Sequence, residues 1–198
     1  MPPPGAQIRT LIVDDHPAMR AGVAAVLGQQ PDFVVVGAAS GARQLWPTLK
    51  SAAPDVVLMD FALDGVDGVI LCHRLKSRPD APRVVLYSAF ADRTLIAPAM
   101  LARADAFLSK RAEASVLCQA LRDVAAAPDT VPALPADQRE RLGETLDADE
   151  LSLASLLLAR RPIEHIAEVT GIAAEELDGI VEGMLRRLVA AARAGVGG

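Results

Sequence analysis

Short apolar runs alternate with segments of helical periodicity along the first two-thirds of the chain. Apolar runs closed by polar residues are typical of strands buried on both faces, as in parallel sheets. They predict strands over residues 8–13, 33–36, 56–60, 83–88 and 106–108. Apolar residues three and four positions apart predict helices over residues 18–27, 42–53, 69–76, 94–103 and 113–126. Strands that alternate with crossover helices predict an α/β fold, namely a doubly wound parallel sheet with helices on both faces.

The remainder of the chain has a different pattern, which predicts a linker followed by helices only. The stretch 127–136 carries three prolines and little periodicity, as linkers do. Helical spacing returns over residues 148–159, 163–169 and 174–194. We therefore expect an α/β domain, a linker and an all-α domain over residues 1–127, 128–145 and 146–198.

The composition is that of a globular protein with an aliphatic core, because 52% of the 198 residues are hydrophobic and only 3% are aromatic. No apolar run approaches the ~20 residues of a membrane span, and residues 1–5 lack the features of a signal peptide. We therefore expect a cytoplasmic protein without membrane contact, in which Cys72 and Cys118 are buried, reduced thiols. The net charge of -5 is concentrated in the tail, where nine acidic residues face five basic ones from Leu146 onward.

Carboxylates, a hydroxyl and an amine stand at the carboxyl ends of four predicted strands. Asp14 and Asp15 close the first strand, Asp60 the third, Ser88 the fourth and Lys110 the fifth. In a sheet ordered 2-1-3-4-5 these strands are neighbours, so the groups meet at the edge where open α/β sheets bind ligands. Clustered carboxylates repel one another unless a cation is present, and an all-oxygen site suits Mg²⁺.

Such a pocket fits a reaction in which one carboxylate attacks a phosphoryl group while a metal and a lysine neutralise the oxygens. Asp60 is the best candidate nucleophile, because its strand is central in the predicted sheet. Asp15 is the better candidate for direct metal ligation, and Asp14 is a supporting residue.

Four motifs resemble the receiver domain of bacterial two-component response regulators. They are Leu-Ile-Val-Asp-Asp-His-Pro at 11–17, Val-Leu-Met-Asp at 57–60, Gly-Val-Asp-Gly at 65–68 and Ala-Phe-Leu-Ser-Lys at 106–110. The Asp-Asp-His-Pro opening is most similar to the FixJ/LuxR group, to which the nitrate regulator belongs. The resemblance implies a flavodoxin-like (βα)5 fold and phosphorylation of Asp60 by a sensor histidine kinase.

The same resemblance implies roles for further residues. Mg²⁺ would be held by carboxylates and one backbone carbonyl, those of Asp14, Asp15, Asp60 and Ala62. Ser88 and Lys110 would sense the phosphoryl group, and Phe107 would swing inward as the hydroxyl residue moves. Asp64 stands where the family usually has proline, which leaves the rate and stability of phosphorylation open.

The C-terminal segment resembles the LuxR/GerE-type helix-turn-helix domain, in which residues 174–188 would form the recognition helix. Its apolar framework matches, but within 173–185 every charged residue is acidic: Glu175, Glu176, Asp178 and Glu182. DNA affinity comes largely from Lys and Arg at phosphates, and carboxylates within a Debye length of phosphates are repelled. The candidates left for DNA backbone contacts are Arg160, Arg161, Arg186 and Arg187.

Three functions follow from these patterns. The first is a response regulator that controls transcription as a phosphorylation-dependent homodimer. The second is a response regulator whose acidic output domain acts by protein–protein interaction or dimerisation, with Ile180, Val181 and Met184 as its apolar surface. The third is a phosphatase or hydrolase with an aspartyl nucleophile, against which the linker, the helical tail and the lack of a substrate-binding insertion argue.

Overall fold

The computed structural model describes residues 7–89, 93–126 and 134–195. The described residues do not include 1–5, the segment that the sequence predicts not to be a signal peptide. They also do not include 127–133, where the predicted linker begins. Within the three described ranges, no helix is both long and apolar enough to cross a membrane.

Five parallel strands form the central sheet in the order β2-β1-β3-β4-β5, as the sequence predicts. They are β1 (Ile8–Val13), β2 (Phe33–Ala39), β3 (Val56–Asp60), β4 (Arg83–Ser88) and β5 (Ala106–Ser109). The parallel register places Asp60 beside Tyr87 and Ser88 beside Ser109. The carboxyl ends of the strands therefore lie along one edge of the sheet.

Among the residues that the structure describes, five α-helices belong to the α/β part and four more follow it. The first five are α1 (Pro17–Gly28), α2 (Ala42–Ala52), α3 (Gly68–Lys76), α4 (Ile96–Leu101) and α5 (Ala114–Ala126). The others are α6 (Ala136–Thr145), α7 (Ala148–Leu158), α8 (Ile163–Thr170) and α9 (Ala174–Gly195). The predicted fold class, a doubly wound α/β sheet with an all-helical C-terminal region, is confirmed.

Helix α6 stands where the sequence predicts the end of a linker. Its composition is mostly polar, so the apolar periodicity that reveals the other helices is weak here. It is anchored by Leu142, which is buried in the main core, and it follows the buried Leu134. The stretch 128–145 is therefore not irregular throughout, and its last ten residues are a packed helix.

The sheet has a core on each face, because successive strand residues point to opposite sides. The core on the α1 and α5 side contains Ile12, Leu58 and Tyr87. The core on the other side contains Leu11 and Met59 and continues without interruption into the C-terminal helices. The two parts of the chain consequently share one hydrophobic core.

Helix α9 lies against α3, α4 and α6, so one face of the predicted recognition helix is packed against the rest of the molecule. Val181 and Met184, which the sequence offers as an exposed apolar surface, are fully buried, and Ile180 is partly buried and packed against the same core. That part of the prediction is wrong, because these side chains pack within the protein.

Gly68 is the first residue of α3 and lies against the strand end that carries Asp60. A Cβ atom at this position would be 1.8 Å from the carbonyl oxygen of Asp60, and the Gly68 amide donates to the carbonyl of Phe61 at 2.8 Å. Only glycine fits this close approach without moving the backbone.

We predict that Gly68→Ala lowers the free energy of unfolding by about 3 kcal/mol, as overpacking against rigid backbone does. Urea denaturation measures the loss. Gly143→Ala is the matched control, because the position is helical and exposed with no atom within 4 Å of the added methyl. That change should be neutral or stabilising. An unchanged midpoint for Gly68→Ala would show that the α3 start can shift freely.

Candidate functional site

The turn between β1 and α1 brings the first two carboxylates to the sheet edge. Asp14 is fully buried, and its Oδ1 accepts a hydrogen bond from the amide of His16 at 2.8 Å. Pro17 then starts α1, at a position where its fixed φ suits a helix and its missing N–H is not needed. Asp15 points beside Asp14 with its side chain 21% exposed.

Lys110 connects the first and third strands. Its amide donates to the carbonyl of Ser88 at 2.8 Å, which fixes the backbone just beyond β5. Its Nζ lies 2.7 Å from Asp14 Oδ2 and 2.6 Å from Asp60 Oδ2. Three of the five predicted strand-end groups therefore meet, and one ammonium group bridges two carboxylates.

Tyr87 also belongs to this cluster, although sequence reasoning missed it. Its hydroxyl donates to Asp14 Oδ2 at 2.6 Å, and its ring centroid lies 4.8 Å from Lys110 Nζ. One feature of the sequence could have indicated this contact, namely a tyrosine within a predicted buried strand. A buried tyrosine hydroxyl usually has a hydrogen-bond partner.

The charges of the cluster do not balance, since two buried carboxylates share one ammonium group. Burial alone would raise the pKa of Asp14, but hydrogen bonds from Lys110, Tyr87 and the following turn hold it below its ordinary value. Burial raises the pKa of Asp60, and the neighbouring Asp14 charge adds to this rise despite the bond to Lys110. The excess negative charge therefore falls on Asp60.

The surroundings of Asp60 contain the other predicted residues. Asp60 Oδ1 accepts from the amide of Ala62 at 3.1 Å, and Ser88 is buried at the end of the neighbouring strand. Phe107 is half-buried and packs edge-on against Phe61, with ring centroids 5.9 Å apart and ring planes at 72°. Phe61, adjacent to Asp60, is a second aromatic that the sequence prediction did not include.

The acidic cluster has the donor set of a cation site. Asp14, Asp15, His16 and Asp60 each offer one ligand atom within 4.8 Å of the others. Asp15 Oδ1 is buried and lies 2.8 Å from Nδ1 of His16, whose side chain is exposed. Buried carboxylate oxygens of this kind fit a hard divalent ion such as Mg²⁺.

Asp64 is explained by the turn in which it lies. Ala62–Leu63 and Val66–Asp67 pair as a small antiparallel hairpin, and Asp64 and Gly65 form its tip. Gly65 has a φ of 82°, which favours glycine, and aspartate is a common turn residue beside it. Asp64 is exposed and does not belong to the acidic cluster found among the described residues.

The four arginines predicted to contact DNA do not form a common free surface. Arg160 donates to the carbonyls of Arg103 and Ala104 in the α/β part of the chain. Arg186 pairs with Glu182 at 2.9 Å, Arg187 pairs with Glu150, and Arg161 is exposed. Three of the four candidates are thus engaged within the protein.

Two of the four acidic residues of α9 face α3, whereas Glu175 and Glu176 are exposed. Asp178 accepts a hydrogen bond from Ser77 at 3.0 Å and lies 3.0 Å from Nε2 of the buried His73. Glu182 accepts two hydrogen bonds from Arg74 at 2.5 and 2.9 Å. Two of the four acidic charges that count against DNA binding in the sequence, those of Asp178 and Glu182, therefore have cationic or polar partners inside this molecule.

A doubly wound sheet with an acidic cluster and a bridging lysine at its carboxyl edge defines the receiver class of signalling domains. The family model for the response regulator receiver domain matches residues 10–122, and the chain belongs to that family. Membership implies that the partner is a histidine kinase and that the domain acts as a non-enzymatic phosphoacceptor.

Relatives extend the similarity beyond the receiver. The nitrate/nitrite response regulator NarL of Escherichia coli (strain K12) is 29% identical over 189 residues, which are 90% of this chain and 88% of that protein. The transcriptional regulatory protein LiaR of Bacillus subtilis (strain 168) is 33% identical over 115 residues, covering 58% of this chain and 54% of LiaR. The chain is a two-component response regulator of the NarL type, with a C-terminal helical output region.

A solved structure matches the receiver part. The signal receiver domain of the putative response regulator NarL from Mycobacterium tuberculosis superimposes with a TM-score of 0.59 at 29% identity, covering 62% of this chain and 99% of that one. The α/β part is thus a complete receiver fold.

We predict that Asp60→Asn stabilises the metal-free protein at neutral pH. The pKa of Asp60 is higher in the folded state, so its carboxyl stabilises the fold below its ordinary pKa and loses this contribution as pH rises through the raised value. The advantage of Asp60→Asn should therefore grow from acid to neutral pH in urea titrations with a chelator. Asp123→Asn, at an exposed position on α5, is the control. A variant less stable than wild type at neutral pH would contradict the charge imbalance.

Proposed function

We propose that Asp60 accepts a phosphoryl group from a sensor histidine kinase with the help of Mg²⁺. In this proposal Asp15, Asp60 and the carbonyl of Ala62 hold the metal, and Asp14 supports it. The observation that carries the proposal is the bridge from Lys110 to both Asp14 and Asp60 at 2.7 and 2.6 Å. An ammonium group so close to the attacking carboxylate would neutralise oxygens of the incoming phosphoryl group.

The chain's own residues prepare this attack. The Ala62 amide fixes one oxygen of Asp60 and leaves the other on Lys110. Burial of the Asp60 carboxylate excludes water and strengthens its attraction to the Lys110 ammonium group. Mg²⁺, when bound, would shield the negative charge of both the carboxylates and the phosphoryl group.

Phosphorylation would then rearrange the residues around Asp60. Lys110 would leave the aspartate for a phosphoryl oxygen, and Ser88 would donate its hydroxyl to another. Phe107 would turn inward, which requires it to leave its edge-on contact with Phe61. The half-buried position of Phe107 beside the site supports this switch role.

We predict that Asp60→Asn abolishes covalent labelling by acetyl phosphate in Mg²⁺, because an amide is not a nucleophile for phosphoryl transfer. Phos-tag gel mobility and intact-protein mass measure the labelling. Asp123→Asn should label like wild type, since this residue is exposed on α5. Undiminished labelling of Asp60→Asn would show that another residue is the phosphoacceptor.

The proposed output is transcriptional control by a phosphorylation-dependent homodimer. Similarity to the nitrate/nitrite response regulator NarL over 90% of this chain supports it, because that match includes the C-terminal helices. DNA binding by α9 would require its release, since α9 packs against α3 and α4. The division into a receiver over 1–127, a linker over 128–145 and an output domain over 146–198 belongs to this proposal.

A second output is favoured by the contacts of α9 themselves. Asp178 and Glu182 serve the interface with α3, and Arg160 is committed to the receiver carbonyls. A helix with acidic residues at these positions would repel DNA phosphates once released. In this alternative the helical region acts by protein–protein interaction or dimerisation without DNA.

We predict that Arg74→Glu raises affinity for duplex DNA a few-fold if the first output is correct, because it places a carboxylate opposite Glu182. The gain is small because Arg74 is 45% exposed and such ion pairs contribute little. Fluorescence anisotropy across a salt series measures binding, with acetyl phosphate-treated protein beside it. Arg43→Glu, exposed on α2, is the charge-matched control. Absence of binding at low salt in every state would exclude DNA and favour the second output.

A further inference from the structure

Tyr87 is the one tyrosine of the chain, and it lies where strand β4 meets the acidic cluster. Its ring is only 3% exposed and belongs to the core beneath α1 and α5. Packing in that core does not require a hydroxyl group. The hydroxyl instead reaches Asp14 Oδ2 at 2.6 Å, next to the amine of Lys110.

The acceptor capacity of Asp14 is nearly filled by protein donors. Oδ2 accepts from Tyr87 at 2.6 Å and from Lys110 at 2.7 Å, and Oδ1 accepts from the His16 amide at 2.8 Å. A carboxylate has about four lone-pair positions, two on each oxygen. Oδ2 therefore cannot bind a cation unless one of these two donors leaves.

The other carboxylates of the cluster differ from Asp14 in this respect. Asp15 Oδ1 is buried, and its contact among the described residues is Nδ1 of the exposed His16 at 2.8 Å, which leaves its other lone pair open. Asp60 accepts one hydrogen bond on Oδ1, from Ala62, and one on Oδ2, from Lys110. Among the described residues both carboxylates keep lone pairs for a metal, whereas Asp14 keeps at most one, on Oδ1, which also lies 3.3 Å from Nδ1 of His16.

We infer that Tyr87 is a positioning residue of this site, which holds Asp14 on Lys110 and thereby restrains it from binding the cation directly. The inference rests on the proposed Mg²⁺-dependent function of Asp60. It deepens that function by giving the two first-strand carboxylates different tasks: Asp15 binds the metal, and Asp14 sets the position of Lys110.

Removal of the hydroxyl should change metal binding in a defined direction. In Tyr87→Phe one lone pair of Asp14 Oδ2 is released and the carboxylate becomes a better ligand. The typical net contribution of one hydrogen bond corresponds to roughly a 3- to 10-fold change in an equilibrium constant. We therefore expect Mg²⁺ to bind Tyr87→Phe roughly 3- to 10-fold more tightly, as measured by isothermal titration calorimetry on the full chain without any phosphodonor.

A double-mutant cycle tests whether the effect passes through Asp14. Tyr87→Phe should change the Mg²⁺ affinity in the wild-type background and leave it unchanged in Asp14→Asn, where the carboxylate is absent. An equal change in both backgrounds would overturn the inference, since Tyr87 would then act by another route. Unchanged or weaker Mg²⁺ binding by Tyr87→Phe in the wild-type background would overturn it as well.

Biosynthetic replacement of tyrosine by 3-fluorotyrosine gives a second test that keeps the hydroxyl in place. Because the chain has one tyrosine, only position 87 changes. The more acidic phenol donates a stronger hydrogen bond, so Mg²⁺ affinity should fall, opposite to Tyr87→Phe. Tighter or unchanged binding would contradict the inference, and this test remains decisive if Tyr87→Phe does not fold.

Failure of the proposed function is distinguishable from failure of this inference. Wild-type protein that is not labelled by acetyl phosphate in Mg²⁺ would refute the phosphoacceptor role of Asp60. Wild-type protein that is labelled, together with a Mg²⁺ affinity indifferent to the Tyr87 hydroxyl, would refute only the role of Tyr87.

Discussion

One ammonium group shared by two buried carboxylates is the constraint on which the receiver site depends. Lys110 lies within hydrogen-bond distance of Asp14 and Asp60, and all three side chains are nearly or fully buried. Burial makes unpaired charge costly, and one positive charge cannot neutralise two negative ones. The hydrogen bonds around Asp14 keep its pKa low and its carboxylate charged, so the uncompensated negative charge raises the pKa of Asp60. The site thus attracts a cation by its own imbalance, and that cation would free Lys110 for another anion.

Helix α3 connects this site to the C-terminal region. Its first residue, Gly68, touches the Asp60 carbonyl, and its later residues His73 and Arg74 meet α9. The helix is held firmly at its start, because the Gly68 amide is bonded to Phe61 and most of its side chains are buried. A displacement of the backbone at Asp60 would therefore move α3 as a unit. The geometry would give phosphorylation of Asp60 a short physical route to the C-terminal helices.

Much of the α/β part could be predicted from sequence, because buried parallel strands produce continuous apolar runs and their carboxyl ends must share an edge. That reasoning brought Asp14, Asp60 and Lys110 together correctly. It missed Tyr87, since a strand pattern says which face a residue occupies but not which atom its hydroxyl reaches. It missed α6, whose polar sequence carries little periodicity, and the docking of α9, because an apolar helix face does not identify its partner.

The interface between α9 and the receiver combines two kinds of contact with different consequences. Leu177, Val181 and Met184 are fully buried, whereas Arg74 is 45% exposed in its pair with Glu182. Burial of one large aliphatic side chain stabilises by about 1.5–3 kcal/mol, whereas an exposed ion pair contributes about 0–1 kcal/mol. Apolar packing therefore holds α9 in place, and the charges mainly select its register along α3. A switch that releases α9 must consequently disturb the packing of α3 and α4, because neutralising the ion pairs alone removes only the smaller part of the attraction.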